Sequence, residues 1–340
     1  MTTAPDLVET FSSASAVELA IVTRSGFVES RHSGSAIVLD QHADVLRSLG
    51  DPSAPVFARS TLKPFQAIAV MNAGVGLRGA AAVLATASHS GTQRHVSVVR
   101  SILAQAGLTE IALQCPADWP TDSAARDELL RDNGTASPIY MNCSGKHAAM
   151  LLACVTNGWP IETYLENDHP MQVLVRDVVE RFTGERPVHT GIDGCGAPVH
   201  ALSLSGLARG IGRIRTSSPT SPFAIYRNAG ILCHAVLENG WVLDGTGRAN
   251  TVVIDRLGVF AKLGAEGVMV MAAPDGTTVA LKMLDGSLRA ASLVGLTLLA
   301  DAGALDRDAV DAVLPELNLS VTGGDAVVGD IRVSPLLERA

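Results

Sequence analysis

The chain is 340 residues long, 47% hydrophobic and 18% charged, and its 34 acidic against 26 basic residues give a net charge of −8. That composition can bury a large core, excludes a disordered chain and offers no basic patch for nucleic acid. The start, Met1 to Asp6, lacks the basic flank and apolar run of a signal peptide, and no apolar stretch reaches the roughly 18 residues of a membrane helix. A soluble, cytoplasmic protein is expected. Five cysteines, an odd number, then read as reduced thiols rather than a disulfide framework.

In chain order, Val17–Val22 and Ser35–Leu39 read as strands around a turn signal at Ser25-Gly26. A helix begins near Ser60 or Thr61, tolerates Pro64 in its first turn and stops at Gly74. Ala80 to Ala87 is a buried segment whose periodicity does not separate helix from strand. Residues 95–107, 122–132, 146–157 and 168–183 read as helices. A loop at Gly191–Pro198 precedes two more, at 199–209 and 222–238. Val268–Ala272 and Thr278–Met283 read as strands around a Pro274-Asp-Gly276 turn, and an apolar helix spans about 288–303. Strands at both chain ends with helices between them predict an α+β fold. Its sheet comes from approximately 17–80 and 245–335 and its mostly helical lobe from about 81–244, with no linker dividing the chain.

Only four of the 26 basic residues are Lys: Lys63, Lys146, Lys262 and Lys282. Where Arg serves as the fixed cation, a retained Lys either drifted in or supplies an amine that can lose its proton. Ser60-Thr-Leu-Lys63 puts a hydroxyl and an amine one helical turn apart, where the amine can act as base and backbone N–H groups can hold an oxyanion. Ser-x-x-Lys is also the nucleophile motif of serine β-lactamases, and the plainer alternative is a helix cap with a surface Lys. In Ala87-Ser-His-Ser-Gly91, the residues Ser88, His89 and Ser90 fit a nucleophile, a relay, a binding group or a polar turn. Asn142-Cys-Ser-Gly-Lys-His147 and Gly191-Ile-Asp-Gly-Cys-Gly196 bring Cys143, Lys146, Asp193 and Cys195. Two thiolates and a nitrogen can hold Zn²⁺ with one open position, or the cysteines are small buried hydrophobes. Lys262, in Ala261-Lys-Leu-Gly264, echoes a Lys-Thr-Gly motif or is a loop lysine, and Lys282 reads as structural. The glycines of Gly74–Gly79 lack a surrounding βαβ unit, so they read as a helix stop rather than a dinucleotide loop.

Arg59–Gln66, Ala87–Gly91, Asn142–His147, Gly191–Pro198 and Lys262–Gly267, in this order, closely resemble the rhizobial-type (inducible, thermolabile) L-asparaginases. The resemblance runs from about residue 17 to Val328–Arg332. It implies a fold similar to serine β-lactamases and glutaminases, and hydrolysis of L-asparagine, a small-molecule substrate, to L-aspartate and ammonia. It implies Ser60 as nucleophile with Lys63 as its activator, Ser88 and Lys262 as a second Ser–Lys pair, and a zinc site of Cys143, Lys146 and Cys195. Asp193, His89 and Asn142 fall at substrate-binding positions, and a homodimer is implied. Ser90 has no assigned role, and Thr92 stands where an acidic residue is expected. The alternatives are a glutaminase or β-lactamase-like serine hydrolase, or a non-catalytic zinc- or amino-acid-binding protein on the same fold.

Overall fold

The structure is a computed structural model and describes residues 8–337. The chain opens with β1 (Val17–Arg24), β2 (Phe27–Leu39), β3 (Val45–Leu49) and β4 (Pro55–Phe57). Ser25 and Gly26 both have positive φ, +48° and +81°. Such a turn matches strand twist, so β1 and β2 form a tight hairpin. Six helices follow: α1 (Lys63–Asn72), α2 (Gly79–Leu84), α3 (Gln93–Gln105), α4 (Ser123–Arg131), α5 (Ser144–Asn157) and α6 (Pro170–Thr183). Next come β5 (His189–Ile192), β6 (Pro198–Ser203), α7 (Leu204–Thr216), α8 (Ala224–Glu238), α9 (Gly240–Leu243) and α10 (Ala249–Leu257). The chain closes with β7 (Phe260–Gly264), β8 (Val268–Ala272), β9 (Thr278–Met283), α11 (Ala291–Asp301), α12 (Arg307–Val313), β10 (Ser320–Gly323) and β11 (Ala326–Val333).

The large sheet runs β10-β11-β1-β2-β9-β8-β7, with β3 also on β2. Its neighbouring pairs are antiparallel, and β1 meets β11 while β2 meets β9 in the register Gly34↔Met283 to Leu39↔Thr278. Both ends of the chain therefore build one sheet, the expected α+β architecture. β8 and β9 are buried along their whole lengths, because helices cover both faces. A Cβ on Gly212 of α7 would lie 3.0 Å from Thr278 Oγ1, and one on Gly295 of α11 would lie 3.7 Å from Val279 Cγ1. Adjacent strand residues face opposite ways, so α7 and α11 sit on opposite faces. Lys262 pairs with Val270, which pairs with Ala280, two residues from Thr278. It therefore faces the α7 side, where most of the helices lie.

Three readings change on contact with the structure. The helix expected at 199–209 is β6 up to Ser203 and α7 after it. Val199–Leu202 are buried between β4 and β5, and Ser203 caps α7 by accepting the Gly206 N–H at 2.9 Å. Four buried apolar residues cannot report their period. The ambiguous segment at 80–87 is helical as far as Leu84. Lys262 lies inside strand β7, not in a loop. Among the described residues, no helix is long and apolar enough to cross a membrane.

Candidate active site

The segment before α1 is a 3₁₀ turn, Arg59–Leu62, which swings into the helix at Lys63. Arg59 sits at φ +50°. A non-glycine residue there carries about 1–3 kcal/mol of strain that the surroundings must offset. The offset is visible: Arg59 Nε donates to Asp193 Oδ1 at 2.8 Å, and its guanidinium reaches Glu266 at 3.9 Å. Ser60, next in the chain, is half-buried.

Lys63 and Lys262 are fully buried, at 1% and 0% exposure. Lys63 Nζ donates to Ala87 O at 2.6 Å and to Ser88 Oγ at 2.8 Å. Lys262 Nζ lies 2.9 Å from the same hydroxyl and donates to Leu263 O at 2.7 Å. Ser88 follows α2 and is pinned by its own N–H on Leu243 O at 2.9 Å. One hydroxyl thus stands between two amines. A hydroxyl has one proton to give, so when Ser88 donates to one lysine, that lysine must be neutral. Burial, with the Lys63 charge beside it, holds the Lys262 amine well below the ordinary lysine range, against the pull of Asp244. The expected Ser88–Lys262 pair is therefore closed, and Lys63 turns to Ser88 rather than to Ser60.

Cys143 directly precedes α5, and Lys146 lies in that helix's first turn. Glycine is required at 145, where a Cβ would lie 2.5 Å from Leu84 O. The close approach seats the start of α5 against α2, which leads to Ser88. The second expected loop is the β5–β6 hairpin turn, where Gly196 N–H bonds Asp193 O at 2.8 Å and carries Cys195 inward. Cys143 and Cys195 are 3% and 1% exposed and lie beside each other, and the Cys143 thiol donates to Asn142 Oδ1 at 2.9 Å. The neighbouring Cys143, with Lys146 nearby, lowers the Cys195 thiol to about 5 despite its burial, while Cys143 rises to about 12. Burial opposes a charge on Lys146, but Cys195, Cys143 and Asp193 raise its pKa on balance. Asp193 is pushed up by burial, yet Lys146 and Arg59 bring it below the usual carboxylate range.

These residues suit a zinc ion. The two buried sulfurs are soft donors, and the Lys146 amine beside them would join them by giving up its proton. Among the described residues no three His, Cys, Asp or Glu side chains gather around one point.

The remaining expected residues lie close by. Asn142 Oδ1 is 2.9 Å from Cys143 Sγ, and its carbonyl accepts the His89 N–H at 3.2 Å. His89 is buried with both ring nitrogens engaged: Nδ1 accepts the Gly91 N–H at 3.1 Å and Nε2 meets Ser144 Oγ at 2.9 Å. Its ring braces the turn after Ser88 and joins it to α5. Thr92, where an acidic residue was expected, is the N-cap of α3. Ser90 is buried, its hydroxyl without a partner among the described residues, and Gly245 approaches so closely that a Cβ there would lie 2.5 Å from Ser90 Oγ. Sequence reasoning gave no role to Arg59, Asp244 or Asn250. The glycine-rich Asp244-Gly-Thr-Gly-Arg248 run was the available signal.

The chain matches the L-asparaginase II family over residues 20–333 and belongs to that family of amidohydrolases, whose substrates are small molecules. No curated protein matches it in sequence. Among solved structures it is similar to a Bacillus glutaminase at 12% identity and a TM-score of 0.45, over 80% of this chain and 92% of that one. It is similar to Mglu at 12% and 0.46, over 79% and 64%. A Mycobacterium bovis β-lactamase follows at 16% and 0.39, over 79% and 94%.

Proposed function

We propose that the protein hydrolyses the side-chain amide of L-asparagine, giving L-aspartate and ammonia through a serine ester. Family membership supports the amide. The observation that carries the mechanism is the buried chain Lys63 Nζ, Ser88 Oγ, Lys262 Nζ, one helical turn from Ser60. In the primary reading, Ser60 Oγ bonds to the amide carbon as Lys63 takes its proton. The C–N bond breaks, the leaving nitrogen receives that proton, and water then cleaves the ester. Ser88 links the Lys63 and Lys262 amines, which gives a proton a hydrogen-bonded path between them. Arg59 and Asp193, at the site's edge, present opposite charges suited to the substrate's carboxylate and ammonium groups.

A second reading is favoured by one fact: the hydroxyl that touches both amines is Ser88. Here Ser88 attacks with Lys262 as base, and backbone N–H groups near Ser60 receive the oxyanion. Zinc would be held by Cys143, Cys195 and Lys146. When bound, it supplies positive charge beside the substrate's polar groups. Glutamine hydrolysis is the alternative activity, and a homodimer is the proposed assembly.

Ammonia release from L-Asn and L-Gln by wild type, Ser60→Ala and Ser88→Ala tests the reading, with mass spectrometry of the trapped ester locating the acylated serine. Release from Asn that falls at least about 10²-fold in Ser60→Ala, with the ester on Ser60, is expected. An ester on Ser88 would select the second reading. No release from either amide would refute both.

A further inference from the structure

β7, which carries Lys262, is the end strand of the large sheet, so one side of its backbone has no neighbouring strand. The Leu263 N–H, one residue from the lysine, is taken instead by a side chain: Asn250 Oδ1 accepts it at 3.1 Å. Asn250 belongs to the first turn of α10 and is 1% exposed. Its Nδ2 donates to Asp244 Oδ2 at 3.3 Å, and Asp244 Oδ1 is held by Arg248 Nε at 2.9 Å. Just before Asp244, Leu243 O receives the Ser88 N–H.

A buried Asn inside a helix is costly. Its helix propensity is low and its amide needs partners on both ends. Here both ends are satisfied, and each bond fixes something that faces the reaction. One short run, Leu243 to Asn250, thus grips Ser88 by its backbone and the strand of Lys262 by its edge. The Nζ–Oγ separation of 2.9 Å depends on that grip, since it holds the backbone edge of β7 that faces away from β8.

We propose that Asn250, anchored by Asp244, is a positioning residue that holds Lys262 on Ser88. The inference rests on the serine–lysine reading above. It adds that the lysine's aim is set by α10, outside every segment that the family resemblance was read from. A displacement of about 1 Å at a reacting group can cost about 10²-fold in rate. Asn250→Ala is therefore expected to lower kcat about 10- to 100-fold with KM unchanged within about threefold.

Two further readouts separate positioning from plain stability. Asn250→Asp keeps the acceptor for Leu263 but sets two carboxylates together, and adding Asp244→Asn restores a donor–acceptor pair. The double exchange should regain at least about tenfold over Asn250→Asp alone. Independently of turnover, lysine labelled with ¹³C at Cε gives four resonances in this chain. In Asn250→Ala the Lys262 resonance should shift or broaden while that of Lys282 stays. An unchanged kcat, or an unmoved Lys262 resonance, would overturn the proposal. If Asn250→Ala does not fold, the Asn250→Asp comparison decides in the same way, and no recovery in the double exchange overturns it. Ser88→Ala at the wild-type rate would sink the serine–lysine reading instead, and the resonance would still judge whether Asn250 fixes Lys262.

Discussion

Of the five cysteines, one should be a thiolate at neutral pH in the metal-free protein. The Cys195 thiol is lowered to about 5, because Cys143 lies beside its sulfur and Lys146 adds positive charge. Cys115 and Cys143 are raised to about 12 and Cys154 to about 11, and burial raises Cys233. At pH 7 a thiol ionising at 9 is about 1% ionised, and one at about 5 is about 99% ionised. Thiolate absorbance should therefore report one ionised sulfur per chain, lost on acidification with a midpoint near 5. Cys143→Ala removes the neighbouring thiol and leaves the burial, so the midpoint should climb by more than about one unit. The sign of the linked stability follows. The folded value lies below the unfolded one, so the thiolate contributes stability that is full above about pH 9 and lost as pH falls through about 5. Two thiolates at neutral pH, none, or a midpoint indifferent to Cys143→Ala would refute the reasoning.

Lys262→Met should lower turnover at least about 10²-fold, yet leave the melting temperature equal or higher, since an apolar chain replaces a buried amine. The same lysine binds fewer protons folded than unfolded, so it makes stability rise with pH up to its unfolded value. Denaturant titrations of Lys262→Met should show that slope reduced. Gly145→Val forces a Cβ to within 2.5 Å of Leu84 O; a loss of about 1–3 kcal/mol is expected in chemical melts. Wild-type protein dialysed with zinc should retain one ion per chain by elemental analysis, and Cys195→Ala should retain none.

Much of the large sheet was legible. The Pro274-Asp-Gly276 hairpin announces itself by turn chemistry between two apolar runs, and Ser25-Gly26 does the same. Strands of three or four residues such as β4 and β5 are too short to show alternation, and β6 is apolar throughout, so the small sheet β4-β6-β5 stayed hidden. The site was legible as pieces: each motif could be found, and the scarcity of lysine pointed at two amines that the fold brings to one hydroxyl. Which hydroxyl they meet was not. Ser88 and Lys262 lie 174 positions apart, and a one-turn spacing in the sequence favoured Ser60 for Lys63, whereas the burial of Ala87 O next to Ser88 drew the amine there. Asn250 left no trace, because its partners are a backbone N–H and a carboxylate that periodicity does not connect.

The pairing of β1 with β11 and of β2 with β9 has a consequence during synthesis. β2 is complete at Leu39, but β9 begins at Thr278 and β11 at Ala326. At about 5–20 residues per second, the ribosome needs on the order of 10–50 s to deliver the first of them. Throughout that interval β1 and β2, joined early only by the short β3, wait with the edges for β11 and β9 unpaired, and so small a sheet is marginally stable. Ser60, Lys63 and Ser88 emerge together, but the lysine on β7 arrives 174 residues after Ser88. A ribosome that stalls before Thr278 releases no weakened enzyme, only an open-edged chain for chaperones and proteases to capture.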